Sequence, residues 1–97
     1  MSPAEVVTKM MSQDAFSKWL GIEVARVEMG HCLLQMKVRK EMTNGFGIAH
    51  GGITYSLADS ALAFASNSRG IQSVSIETSI SHLKKVETND ILTVTAK

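Results

Sequence analysis

The chain has a single cysteine, Cys32, so neither a disulfide framework nor a thiolate zinc site can be assembled from it. A lone cysteine in an apolar stretch reads as a small core residue. Charge of one sign is also scarce. The formal net charge is +1, and the basic residues are scattered, adjoining at most in pairs such as Lys84-Lys85, which argues against a polyanion-binding surface. No apolar run approaches the ~18 residues of a spanning helix. Met1 to Phe16 carries Glu5, Lys9 and Asp14, where a signal peptide would keep an unbroken apolar run. A phosphate loop and a Gly-x-Ser-x-Gly elbow are missing. Gly45-Phe46-Gly47 lacks the third glycine of a dinucleotide fingerprint and follows a polar loop. His31, His50 and His82 are too dispersed for metal-ligand spacing. We therefore expect a soluble, reduced, cytoplasmic protein with no cofactor, no metal, no nucleic acid and no membrane partner.

What is present is globular in composition, with 44% hydrophobic and 20% charged residues. At 97 residues the chain suits one domain. A chain this short buries only about 60–65% of its unfolded surface, which raises the expectation of an oligomer.

Ser2-Pro3 reads as an N-cap followed by proline at the first helical position, starting a helix over Ala4 to Ser12. Asp14 can cap a short second helix, Ala15 to Leu20, ended by Gly21. Ile22 to Glu28 and Leu34 to Arg39 alternate apolar with polar residues, as the strands of an antiparallel hairpin do. Met29-Gly30-His31 is the turn between them. Glu41 to Gly52 reads as a loop. Ile53 to Asn67 is helical and nearly all apolar or small, the pattern of a buried helix. Ser73 to His82 alternates again, Lys84 to Asn89 is a polar turn, and Ile91 to Ala96 starts another strand. The expected architecture is α+β: one long buried helix against four antiparallel strands, preceded by short helices.

Between Glu41 and Arg69 the sole formal charge is Asp59. A carboxylate on a buried helix is costly unless it is solvated, paired or used. It lies either on the helix's one wet edge or in a cleft, as nucleophile or general base. Gly51 and Gly52 open the helix. Its first N–H groups are unpaired and lie at the positive end of the dipole, an oxyanion-stabilising arrangement. The alternative is a glycine turn needed only for geometry. Asp59 lies eight residues after Gly51, ~12 Å along a helix axis. One carbonyl cannot easily meet both within one chain, so acid and oxyanion donor are expected to come from two subunits. His50 either supports the carbonyl or braces the loop. Asn44 either forms the turn or orients substrate. Ser75 reads first as a plain strand residue.

The run from Asn44 through His50-Gly51-Gly52 and Asp59 to Ser68 strongly resembles the hotdog-fold thioesterases, specifically the PaaI-like phenylacetic acid degradation proteins. The flanks, Trp19-Leu20-Gly21-Ile22 and the segment after Gly70, fit as well. The resemblance implies a helix wrapped by an antiparallel sheet and a homodimer with shared active sites, pairing into a homotetramer. It implies an acyl-CoA substrate, often a phenylacetyl or hydroxyphenylacetyl thioester, hydrolysed to the free acid and coenzyme A. Catalysis would fall to Asp59, Gly51, His50 and Asn44, with Gly52 and Ser75 at the substrate. Relatives continue into further strands, so residues 1–97 are expected to be one hotdog domain lacking its C-terminal strands. Two other readings share the fold: a non-catalytic acyl-CoA-binding module, and a hydratase or dehydratase.

Overall fold

The computed structural model describes every residue from Met1 to Lys97. Its centre is a 17-residue helix, Gly51–Asn67, here α3. Ile53, Leu57, Ala61, Phe64 and Ala65 recur at helical spacing and are buried. They pack on a three-stranded antiparallel sheet of β1 (Glu23–Glu28), β2 (His31–Lys37) and β3 (Ile91–Ala96), in that order. β2 is the middle strand. Its Cys32, Leu34 and Met36 point at the helix with Val38 beyond them, all essentially inaccessible. The alternation is that of a sheet with one dry face. The hairpin pairs Val27 with Cys32 and Glu28 with His31, and a bulge at Ala25 breaks its register.

The N-terminal helices fold as the sequence implies. α1 (Pro3–Gln13) starts in a capping box, with Ser2 accepting from the Glu5 N–H and Glu5 accepting from the Ser2 N–H. α2 (Ala15–Leu20) is capped by Asp14 and ends on Gly21, whose φ of 74° favours glycine. Its last carbonyls, at Trp19 and Leu20, accept from the Arg39 guanidinium at 2.7 and 3.1 Å. The Ser17 hydroxyl donates to Asp14 at 2.6 Å and lies 2.8 Å from the Ser60 hydroxyl, tying α2 to α3. Ser68 ties the other end of α3 to the hairpin, accepting from the Gly30 N–H at 2.8 Å.

Four expectations are corrected. β2 begins at His31, so the turn is Met29-Gly30 alone. A single turn of 3-10 helix, Lys40–Met42, opens the expected loop. α3 is not buried all round: Asp59 and Leu62 lie on an open face, because the sheet covers one side only.

The fourth correction concerns Ser73 to His82, which form no strand. Alternation supplies two faces, but a ladder also needs an adjacent backbone edge. This segment instead runs along α3 and is held there at both ends by side chains. Asn67 brackets Ser73, accepting from its N–H at 2.9 Å and donating to its carbonyl at 3.1 Å. Thr54 Oγ1 lies 3.3 Å from His82 Nδ1 at the other end. The chain therefore passes over the helix face that carries Asp59, with Val74 and Ile76 exposed.

Cys32 is fully buried, and loss of hydration pushes its thiol pKa above the usual value. Folding thus favours the protonated thiol, and stability declines as pH rises through the thiol range. In native protein Cys32 should be inert to a disulfide reagent at pH 8, reacting only once denaturant unfolds the sheet. Prompt native labelling would contradict this burial.

Candidate active site

α3 begins at Gly51, two residues earlier than the apolar pattern indicates, because His50 supplies the cap. The His50 Nδ1 accepts from the Gly52 N–H at 3.1 Å. Its neutral form therefore carries the proton on Nε2. The Ile53 N–H donates to the His50 carbonyl at 2.9 Å. Gly51 alone among these keeps an N–H with no acceptor in the chain, at the positive end of the dipole. His50 thus selects which glycine N–H is offered.

Asn44 closes the loop before it. Its Oδ1 accepts from the Phe46 N–H at 2.9 Å, and its amide NH2 has no partner in the chain. Asn44 and Gly51 line one depression of about 410 Å³, together with Thr54, His82 and Lys84.

His82 went unrecognised in the sequence. A Cβ placed on Gly51 would meet the His82 Nε2 at 3.3 Å, so glycine leaves room for the imidazole edge beside the free N–H. Thr54 Oγ1 donates to the Gly51 carbonyl at 3.0 Å and is left to accept from His82 Nδ1. With the hydroxyl hydrogen on that carbonyl, neutral His82 carries its proton on Nδ1 and a lone pair on Nε2, towards Gly51. The apolar-polar alternation carried a signal, since His82 ends it in phase with Val74 and Ile76. Only a helix-long tether brings it to Gly51.

Asp59 lies elsewhere on α3. It is solvent-exposed and stands between two grooves. One, of about 690 Å³, runs between α1, α3 and residues 72–75 and includes Ser75. The other, of about 130 Å³, lies beneath Thr78, Ser79 and Ile80 and is bordered by Tyr55. The sequence-derived residues thus fall into two groups: Asp59 with Ser75, and Asn44 with Gly51, beside the His50–Gly52 cap. Eight residues of straight helix separate the groups, ~12 Å.

The thioesterase superfamily model matches residues 46–97, which include Gly51, Asp59 and Ser75 and begin just after Asn44. The chain belongs to that family. Over 91% of its length it is 39% identical to the acyl-coenzyme A thioesterase PaaI of Escherichia coli, spanning 63% of that protein. Human acyl-coenzyme A thioesterase 13 is 32% identical over 95% of the chain, which covers 68% of it. The fold agrees with the solved E. coli PaaI structure at a TM-score of 0.93, with 35% identity over 96% of this chain and 67% of that one. A Streptococcus pneumoniae thioesterase protein solved with coenzyme A superposes at 0.82, with 31% identity, over 90% of this chain and 68% of that one. The α+β hotdog architecture read from the sequence is therefore that of the family, with three strands formed in this chain. No helix is long and apolar enough to cross a membrane.

Replacing His50 by alanine should destabilise the fold by about 1 kcal/mol, the usual cost of an N-cap. Asparagine, itself a strong cap, should recover most of that. Urea unfolding measures both, and an alanine variant as stable as wild type would show that the ring does not cap α3.

Proposed function

We propose that the chain is an acyl-CoA thioesterase whose site is shared between two subunits, acting on phenylacetyl-CoA, hydroxyphenylacetyl-CoA or related aryl thioesters in cytoplasmic aromatic catabolism. The observation that carries the reading is the division of α3. An unpaired Gly51 N–H stands at its start, and an exposed Asp59 stands two turns on between two grooves. Those are the two components thioester hydrolysis needs, an oxyanion donor and a carboxylate.

In this mechanism the thioester carbonyl lies against Asp59 of one subunit and the partner subunit's Gly51. Asp59 either attacks the carbonyl carbon or takes a proton from the attacking water. Negative charge gathers on the carbonyl oxygen and is met by the Gly51 N–H and the helix dipole, a contribution of ~10²–10³ in rate. The C–S bond then breaks and coenzyme A leaves as thiolate. Where Asp59 has attacked, water cleaves the resulting acyl-aspartyl anhydride to the free acid and restores the carboxylate. Where Asp59 has taken the proton of water, it returns that proton to the thiolate or to solvent. His50 supports the oxyanion donor by occupying the Gly52 N–H. Asn44 contributes its free amide, and Ser75 borders the acyl side.

A dimer is further supported by residues 71–83. Ile71, Val74, Ile76 and Leu83 are all largely exposed there, on backbone outside any ladder. Unpaired backbone edged with apolar side chains invites pairing with another chain. Residues 1–97 then act as one hotdog domain, in a dimer that pairs into a tetramer.

Asp59→Asn should lower hydrolysis of phenylacetyl-CoA by ~10²-fold or more while leaving the oligomer intact. Thiol release and sedimentation velocity follow the two properties separately. Equal rates would remove Asp59 from the mechanism. A wild-type protein that binds acyl-CoA thioesters but releases no thiol would instead be a non-catalytic binding module.

A further inference from the structure

The larger groove beside Asp59 has a composition that bears on the acyl group. Its volume, about 690 Å³, is in the range of small-molecule sites. Twelve residues line it and only four are hydrophobic. α1 contributes Lys9 and Gln13, α3 contributes Ser66 and Asn67, and the crossing segment contributes Ser73 and Ser75. A site for a plain hydrocarbon chain would be lined the other way round.

Lys9 and Asp59 are the only formal charges in this groove. The three ion pairs of the chain are Arg26–Glu28, Arg39–Glu41 and Lys85–Glu87, so Lys9 has no carboxylate partner. Its ammonium makes no hydrogen bond either, whereas that of Lys18 is bound to the Ser12 carbonyl. Asn67, by contrast, is fully engaged with Ala63 and Ser73. The groove therefore holds one uncommitted cation and one uncommitted anion.

We infer that Lys9 is a specificity-determining residue, and that the preferred acyl group carries an anion at its distal end. This rests on the thioesterase reading, since the carbonyl must lie at Asp59 for the acyl group to enter this groove. The two charges then divide the substrate. A carboxylate beside Asp59 is repelled, and one beside Lys9 is drawn into a charge-assisted hydrogen bond. Along α3 the groove extends from Asp59 to Ser66 and Asn67, ~10–12 Å, enough for a para-substituted arylacetyl group. Ser66 and Gln13 can serve the remaining lone pairs of such a carboxylate.

The test compares kcat/KM for (4-carboxyphenyl)acetyl-CoA and phenylacetyl-CoA, read by thiol release. Each variant is scored as the ratio of the two substrates, so the amount of folded protein cancels. Wild type should favour the carboxylated ester. Lys9→Met should lower the ratio by about tenfold, the lower end of what a hydrogen bond to a charged group contributes. Lys9→Arg should restore it, with the change carried mainly by KM. An unchanged ratio in Lys9→Met, with both esters still hydrolysed, overturns the role of Lys9 and leaves the thioesterase reading standing. No thiol release from either ester with wild type overturns both.

Discussion

Burial of one face of α3 against β2 and β3 is the constraint from which the rest follows. Ile53, Leu57, Ala61 and Phe64 must meet Leu34, Met36 and their neighbours for this short chain to have a core at all. Once that face is fixed, the helical period fixes the others. Asp59 is two residues from both Leu57 and Ala61, about 200° around the helix from each. It is held opposite the core not by a partner of its own but by the side chains that flank it in sequence. The same rigidity sets its separation from Gly51. Neither spacing can relax without undoing the core.

The crossing segment depends on the same helix. Asn67 and Thr54 grip Ser73 and His82 from positions 13 residues apart on α3, ~20 Å along the axis. Extended chain of that length reaches across with some slack. It passes over the open face and turns a bare helix surface into two grooves with Asp59 between them. Polar side chains, rather than a hydrogen-bonded ladder, therefore shape the walls of the candidate site.

How legible this was in the sequence varies by element. α1 and α2 could be read closely, because Ser2, Pro3, Asp14 and Gly21 act on the backbone within a few residues. The core of α3 and the isolation of Asp59 were equally plain. The start of α3 is not legible because glycine is a poor helix former, and Gly51 and Gly52 read as loop. What begins the helix there is the His50 cap. β2 was shortened because Leu33 beside Leu34 interrupts the alternation at its N-terminal end. Ser73 to His82 was read as strand because periodicity reports faces and not neighbours. The His82–Gly51 approach was invisible for a related reason. Thirty residues of sequence separate them, and only the path of the intervening chain along α3 closes the gap.

The two halves of α3 also differ in how they are built, and that difference bears on how a site could use them. The Gly51 end is preorganised. His50 takes one N–H, Thr54 fixes the Gly51 carbonyl and orients His82, and a single donor is left at the dipole's positive end. Donors held this way need no rearrangement when charge develops on a carbonyl oxygen, which is where such groups gain most over water. The Asp59 end is open. Its carboxylate is solvated, and its grooves are walled by a segment whose apolar side chains are uncovered. A solvated carboxylate is a poor place for charge-sensitive chemistry until something excludes water from it. Within one chain nothing covers Val74, which lines the larger groove beside Asp59, or Ile76 two residues on. A second surface seated on this segment would exclude water from Asp59 and, if it carried its own α3 start, bring a preorganised donor with it. Completing the site and covering the exposed apolar segment are then the same event, which is why assembly and activity are expected to be lost together when Val74 and Ile76 are made polar.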